Sequence, residues 1–174
     1  MSAQLAETEI DQDNQDQYLT FIVQGNVFGV DILGIKEIIE FCSLTQVPLV
    51  PDYIRGVLNL RGRVIPVVDL NVRFGLEKTE TTKKTCIVVV EVHCEDGVIE
   101  MGMLIDEVLE VKEILEDQLE KAPDFGANIR TDFIRGMARQ DQGFIVLLEL
   151  DKVVSVSELT VIGGLVEKQE PGSE

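Results

Sequence analysis

Two stretches of this chain repeat each other, and the repeat limits the fold more than any other feature. Asp52-Tyr53-Ile54-Arg55-Gly56 returns as Asp132-Phe133-Ile134-Arg135-Gly136. The apolar run Ile65-Pro66-Val67-Val68-Asp69-Leu70 is matched, at the same offset, by Ile145-Val146-Leu147-Leu148-Glu149-Leu150. Looser echoes lie upstream: Gly29-Val30-Asp31-Ile32 with Gly102-Met103-Leu104-Ile105-Asp106, and Ile35-Lys36-Glu37-Ile38-Ile39 with Val111-Lys112-Glu113-Ile114-Leu115. Four matches in order indicate two related β units in tandem. In the first copy, Val57, Leu58 and Leu60 read as a strand, Gly62 marks a reversal between Arg61 and Arg63, and Val64 to Asp69 returns. Pro66 has no N–H for a ladder, so the return strand is expected at an edge or with a bulge there. An exposed edge beside two arginines is a candidate docking surface.

Taken in order, Met1 to about Asp16 is acidic and polar and is expected as a flexible tail. Tyr18 to Val23 is a strand, Gly25-Asn26 a turn, and Val27 to Val30 the return. Asp31 caps a short helical turn, and Ile38 to Phe41 resumes extended structure. Val47 to Pro51 is a loop, Asp69 caps a brief helix closed by Gly75, and Glu77 to Lys84 is a linker. Cys86 to Val92 and Val98 to Ile105 form a second hairpin across Cys94-Glu95-Asp96-Gly97. Asp106 to Val111 and Ile114 to Leu119 read as helical turns or irregular strand. Ala122 to Gly126 is a loop, and Phe133 to Leu150 is the second hairpin copy, turning at Gln140 to Gly143. Asp151 caps a last helix reaching Leu159, followed by a loose tail over 160–174. Short strands with glycine turns and helices of a turn or two point to small barrels. A doubly wound sheet would need longer crossover helices.

Charge and composition narrow the function. A net charge of −17 opposes nucleic acid and anionic lipid as general partners. No apolar run reaches the roughly 20 residues that span a bilayer, and the N-terminus does not read as a secretory signal. Cys42, Cys86 and Cys94 form no CxxC pair, which suits free thiols in a reducing compartment, so the cytoplasm is the expected location. Every arginine (Arg55, Arg61, Arg63, Arg73, Arg130, Arg135 and Arg139) falls in the two hairpin regions. Arginine is favoured in protein interfaces.

Catalysis is not indicated. The one histidine, His93, stands beside Cys94 in an expected turn, where adjacent residues seldom reach thiol–imidazole geometry. Walker, HExxH, GxSxG and GxGxxG motifs are absent from the sequence, and no ligand set suggests a metal or cofactor. With no tryptophan and two tyrosines, the chain is poor in the aromatic residues that line ligand pockets.

Val30-Asp31-Ile32-Leu33-Gly34-Ile35-Lys36-Glu37-Ile38, Val47-Pro48, and Ile54-Arg55-Gly56-Val57-Leu58-Asn59-Leu60-Arg61-Gly62-Arg63-Val64-Ile65-Pro66-Val67-Val68-Asp69-Leu70 together resemble the CheW family of bacterial chemotaxis coupling proteins. Gly102 to Val108 and Phe133-Ile134-Arg135-Gly136 agree with it, so the resemblance covers about residues 17–159. It implies a mainly β fold: two five-stranded SH3-like barrel subdomains around a shared third core, with a few short helices. The sequence halves are about 17–82 and 83–159, and strands are open to exchange between lobes. It implies an adaptor without catalytic activity or cofactor. Its partners would be the regulatory domain of the histidine kinase CheA and the cytoplasmic tips of methyl-accepting chemoreceptors, without direct membrane insertion. By position, Glu37 and Arg61 match residues implicated in receptor coupling, with Asn59 and Gly62 shaping the hairpin. Arg55 and Gly56 precede it, and Ile32, Ile35 and Val88 are candidates for an apolar receptor groove. Two other readings stay open: a small-molecule-binding double barrel, and a coupling module from a larger regulator fused to a receiver domain.

Overall fold

The structure is a computed structural model and describes residues 16–94, 97–121, 133–140 and 143–153. Most of the expected flexible tails, the Ala122–Gly126 loop, the centre of the Gln140–Gly143 turn and the end of the last helix lie outside those residues.

The chain enters as a hairpin, β1 (Gln17–Val23) and β2 (Asn26–Asp31), which turns at Gln24-Gly25, one residue earlier than expected. A 3-10 turn, Ile32–Gly34, follows; Asp31 caps it, accepting from Leu33 N at 2.9 Å. Next come β3 (Ile35–Glu40), the hairpin β4 (Ile54–Leu60) and β5 (Arg63–Asp69), and α1 (Leu70–Arg73), capped by Asp69 as expected. The second half runs β6 (Cys86–Cys94), β7 (Gly97–Ile105), β8 (Glu107–Glu113), a 3-10 turn (Glu116–Gln118) and β9 (Leu119–Glu120). It ends with β10 (Ile134–Gln140), β11 (Gly143–Leu148) and α2 (Leu150–Val153).

These strands form two sheets, ordered β8-β1-β2-β11-β10-β9 and β3-β6-β7-β5-β4. Each sheet takes its first hairpin from one repeat unit and its last three long strands from the other. The chain crosses between sheets at two points. It leaves β2 at Asp31 for β3, and leaves β7 at Asp106 for β8. The joins are parallel pairings, Val67 opposite Gly102 and Leu147 opposite Gly29. Both glycines sit where a Cβ would come within 2.8 Å of a neighbouring aliphatic carbon, so the barrel interior has no room for a side chain there.

Period-two alternation divides the core into three. Ile87, Val89 and Leu104 fill the second barrel with Leu58, Ile65 and Val67, while Tyr18, Ala138, Ile145 and Leu147 fill the first. The intervening residues, Val88, Val90, Val92, Met101, Met103 and Ile105, meet Leu19, Phe21 and Val23 in a core shared by both sheets. β6 is therefore apolar on both faces because both are covered. The outer strands of each sheet are tied by side chains. Lys112 on β8 donates to Gln140 on β10 at 2.7 Å, and Arg61 after β4 reaches Glu37 on β3 at 2.8 Å.

Two expectations need correction, and a third is narrowed. Pro66 lies on an interior strand, since β4, not β5, forms the edge. It pairs with Val57, whose own N–H and C=O face the other way, bridging to Thr45 at 2.8 and 3.0 Å. This is a non-hydrogen-bonded pair, so β4 loses nothing to the missing donor. The bulge is on β4, between Ile54 and Gly56. Of the two readings of Asp106 to Val111, the structure takes the irregular strand: Glu107 opens β8, whose bulge opposite Leu19 to Phe21 breaks the alternation. Asp151 lies inside α2 rather than before it and accepts from His93 N at 2.9 Å; His93 itself stands on β6, not in a turn.

Candidate functional site

Four of the residues singled out from sequence meet at one end of the second sheet. Leu60 and Arg63 close a two-residue turn in which both central residues have positive φ, Arg61 at 54° and Gly62 at 85°. That is the type I′ pattern, which follows the twist of the flanking strands. Glycine adopts it freely, but arginine does not, so Arg61 is held there by its surroundings. Asn59 supplies part of the hold, its Oδ1 accepting from Gly62 N at 3.1 Å. Arg61 then extends over the edge strand β3, with Nη1 2.8 Å from Glu37 Oε1 and Nη2 3.5 Å from Oε2. The carboxylate holds the Arg61 guanidinium above its ordinary pKa, first through this hydrogen bond and then through charge. The pair stays open to solvent, Arg61 being 69% exposed. Ile38, next to Glu37, is exposed as well.

The other residues lie elsewhere. Arg55 is at the far end of β4, roughly 20 Å along the strand at about 3.3 Å per residue. Its Nη1 donates to Asp69 Oδ2 at 2.8 Å and to Thr79 O at 3.1 Å, and Asp69 is wholly buried. Gly56 has φ 153°, and a Cβ there would lie 2.5 Å from Thr45 O. Gly56→Ala is therefore expected to destabilise the chain by about 1–3 kcal/mol, through the strained backbone and the displaced Thr45 bridge. Urea denaturation checks this, with Gly62→Ala, which has no neighbour to displace, losing less. Ile32 and Ile35 are half-buried against the shared core. Val88 has no exposed surface, so its side chain belongs to that core and cannot line a surface groove.

The described arginines are all satisfied within the chain. Arg63 pairs with Glu100, Arg135 lies 3.6 Å from Asp31, and Arg139 grips Glu120 at 3.0 and 3.3 Å. Arg73 Nε donates to Val153 O at 2.6 Å. Arg61 and Arg139 both hold their partners while keeping most of their own surface in water, and of the two Arg61 is the one with positive φ.

Sequence reasoning missed a buried polar network beside α1. Asp69 Oδ1 accepts from Asn71 N at 3.0 Å and Thr79 Oγ1 at 2.7 Å, and Oδ2 accepts from Thr79 N at 3.0 Å. Asn71 Nδ2 donates to Thr79 Oγ1 and to Asp106 Oδ1 at 3.4 Å, and Asp106 Oδ2 accepts from Gln24 N at 2.8 Å. The chain crossover at Asp106 is thereby tied to the β1–β2 turn on one side and to α1 on the other. The Asp69 cap could be read from sequence, but nothing local indicated that Thr79 folds back onto it.

Among the described residues, both barrel interiors are filled by side chains. Among the described residues, no three histidine, cysteine or carboxylate groups converge on a metal position. His93 is exposed, its Nδ1 3.8 Å from Asp151, and burial raises the Cys86 thiol pKa.

Known proteins resemble the chain over nearly its whole folded length. The CheW-like domain family model matches residues 17–158. The chemotaxis protein CheW of Thermotoga maritima is 33% identical over 152 residues, covering 86% of this chain and 93% of that protein. Its counterpart from Treponema pallidum is 29% identical over 155 residues, covering 88% and 90%. The solved scaffolding protein TtCheW from Thermoanaerobacter tengcongensis superposes with a TM-score of 0.71 at 32% identity, covering 82% of this chain and 94% of that one.

Proposed function

The chain belongs to the CheW family of chemotaxis scaffold proteins, and from that premise we propose that it joins the cytoplasmic tips of methyl-accepting chemoreceptors to the regulatory domain of the histidine kinase CheA. Residues 17–159 form the functional unit in this reading, working in the cytoplasm at the receptor array. No described helix is long and apolar enough to cross a membrane.

The observation that carries the proposal is the Glu37–Arg61 pair. A left-handed arginine on a rigid turn, bridged to an edge-strand carboxylate and still 69% exposed, presents a planar donor fork in a fixed direction. Such a fork suits a partner's carboxylates and backbone carbonyls without any bond being made or broken. Its position across the ends of β3 and β4 also links it to the second barrel, so occupancy there would bear on how that barrel's outer strands are held.

The test is direct. The purified chain is mixed with a receptor-tip fragment and, separately, with the kinase regulatory domain, and each mixture is run on a sizing column. Co-migration with both is expected. Separate elution from both, at concentrations where receptor and kinase are active, would overturn the proposal.

A further inference from the structure

A groove of about 530 Å³ lies at the end of β4 far from Arg61, between α1 and the loop that leads into the strand. Val47, Val50, Ile54, Val72 and Leu76 give it an apolar lining, joined by Lys78. Leu76 leaves 42% of its surface exposed.

The described residues stop beside this groove. Val153, the last residue of α2, is 2% exposed and shares an apolar cluster with Val47 and Ile54, against which Val50 and Val72 also pack. Its carbonyl accepts from Arg73 Nε at 2.6 Å, and the Arg73 guanidinium covers the Tyr53 ring at 4.8 Å. Arg73 follows Val72 and Tyr53 precedes Ile54, so the chain is released from α2 at the border of the groove.

The two repeat units part at this point. Leu150 corresponds to Leu70, which sets Ser155 in the place of Gly75. Gly75 has φ 86° and turns the chain back over α1, where Leu76 N donates to Asn71 O at 2.8 Å. A serine does not readily take that left-handed conformation, so the second unit lacks the means to copy the return. Ser155 instead opens a Ser-x-x-Glu pattern with Glu158, the capping-box signature of a new helical turn. Val156, Leu159 and Ile162 follow at every third residue, an apolar stripe that stops at Gly163-Gly164. Residues 154–162 reach about 14 Å as a helix, at roughly 1.5 Å per residue, and about twice that extended. That is enough to cross the groove from Val153.

We propose that residues 154–162 of this chain lie in the groove as a strap, with Val156, Leu159 and Ile162 against Val72, Leu76 and Val50. Charge agrees with the placement. Glu158 is the one charged residue of the segment and borders its apolar stripe, while Lys78 makes no ion pair among the described residues. The strap holds α1 from outside and closes the groove to other chains. It is remote from the Glu37–Arg61 pair, and the inference does not rest on the coupling function.

NMR of the whole chain with labelled isoleucine, leucine and valine methyls tests it. NOEs are expected from Val156 and Leu159 to Val72 and Leu76. Leu159→Lys should abolish them and shift the Val72 and Leu76 methyls, while Ile87 and Leu104, inside the second barrel, stay in place. Absence of the NOEs in the unsubstituted chain would overturn the assignment. So would a mixture of labelled and unlabelled copies in which the NOEs arise only between molecules, since the occupant is then a second copy. Groove methyls that ignore Leu159→Lys and move only when the receptor tip or the kinase domain is added would give the groove to that partner instead.

Discussion

Asp69→Ala is expected to cost about 3–5 kcal/mol of stability, among the largest losses for any single polar replacement in this chain. The carboxylate is wholly buried and accepts from Arg55 Nη1, Thr79 N, Thr79 Oγ1 and Asn71 N. Removing it strands the Arg55 guanidinium, 20% exposed, with the Thr79 carbonyl alone. An uncompensated charge of this kind usually costs more than the intact pair contributes. The α1 cap is lost as well, a further loss of about 1 kcal/mol. Asp69→Asn keeps an acceptor for the cap but not the charge, so it should fall between wild type and alanine. The internal control is Glu149, which holds the corresponding place in the second repeat. Its side chain is half-buried and makes no hydrogen bond or ion pair among the described residues, so Glu149→Ala should stay within about 0.5 kcal/mol. Urea denaturation of the three variants decides the matter. An Asp69→Ala variant no less stable than Glu149→Ala would mean that the network contributes nothing.

The contrast between Asp69 and Glu149 also shows how far the sequence could be read. The repeat predicted two hairpins of one design, and their registers agree residue for residue: Ile54 pairs with Val68 as Ile134 pairs with Leu148, and both carry a bulge before the glycine. Turn chemistry made this legible, because Gly62 and the flanking β-branched residues act locally. What the repeat could not say is which hairpin lies beside which. Parallel pairing of β5 with β7 and of β11 with β2 depends on shape at Gly102 and Gly29, where an interior too tight for a Cβ admits glycine alone. β8 was obscured for a related reason. Its bulge places Val108 and Val111 opposite Phe21 and Leu19, a spacing of three that imitates a helix. The Thr20 hydroxyl serves the backbone left over, donating to Glu110 O at 2.6 Å and accepting from Glu110 N at 3.2 Å. At the candidate site, Gly62 marked the turn between Arg61 and Arg63, while the roles of Asn59 and Glu37 were reached through the family resemblance. Val88 was misplaced because a strand buried on both faces offers no polar residue to mark an outer side.

Arg61→Ala should leave the unfolding transition where it is and lower affinity for the receptor tip by about tenfold or more. Stability is spared because the guanidinium is open to water and its ion pair is screened. Binding is not, because the alanine variant loses the donor fork that the turn is built to aim. Glu37→Gln separates two ways in which the pair could act. If Glu37 competes with the receptor for Arg61, neutralising it should strengthen binding. If it aims Arg61, binding should fall. The geometry favours aiming: the carboxylate takes both Nη atoms from the edge strand, and the positive φ of Arg61 leaves its side chain few other directions. A loss of roughly twofold to fivefold is therefore expected for Glu37→Gln, smaller than for Arg61→Ala because the amide oxygen still accepts one bond. The double variant should bind no worse than Arg61→Ala alone, since Glu37 then has nothing to aim. Raising salt toward 1 M should narrow the gap between wild type and Glu37→Gln. The first sheet offers a natural comparison, because there Lys112 on β8 donates to the neutral Gln140 at the end of β10. Lys112→Ala should leave receptor binding unchanged. An Arg61→Ala variant that binds the receptor tip as tightly as Lys112→Ala would remove the second-barrel end from the coupling surface.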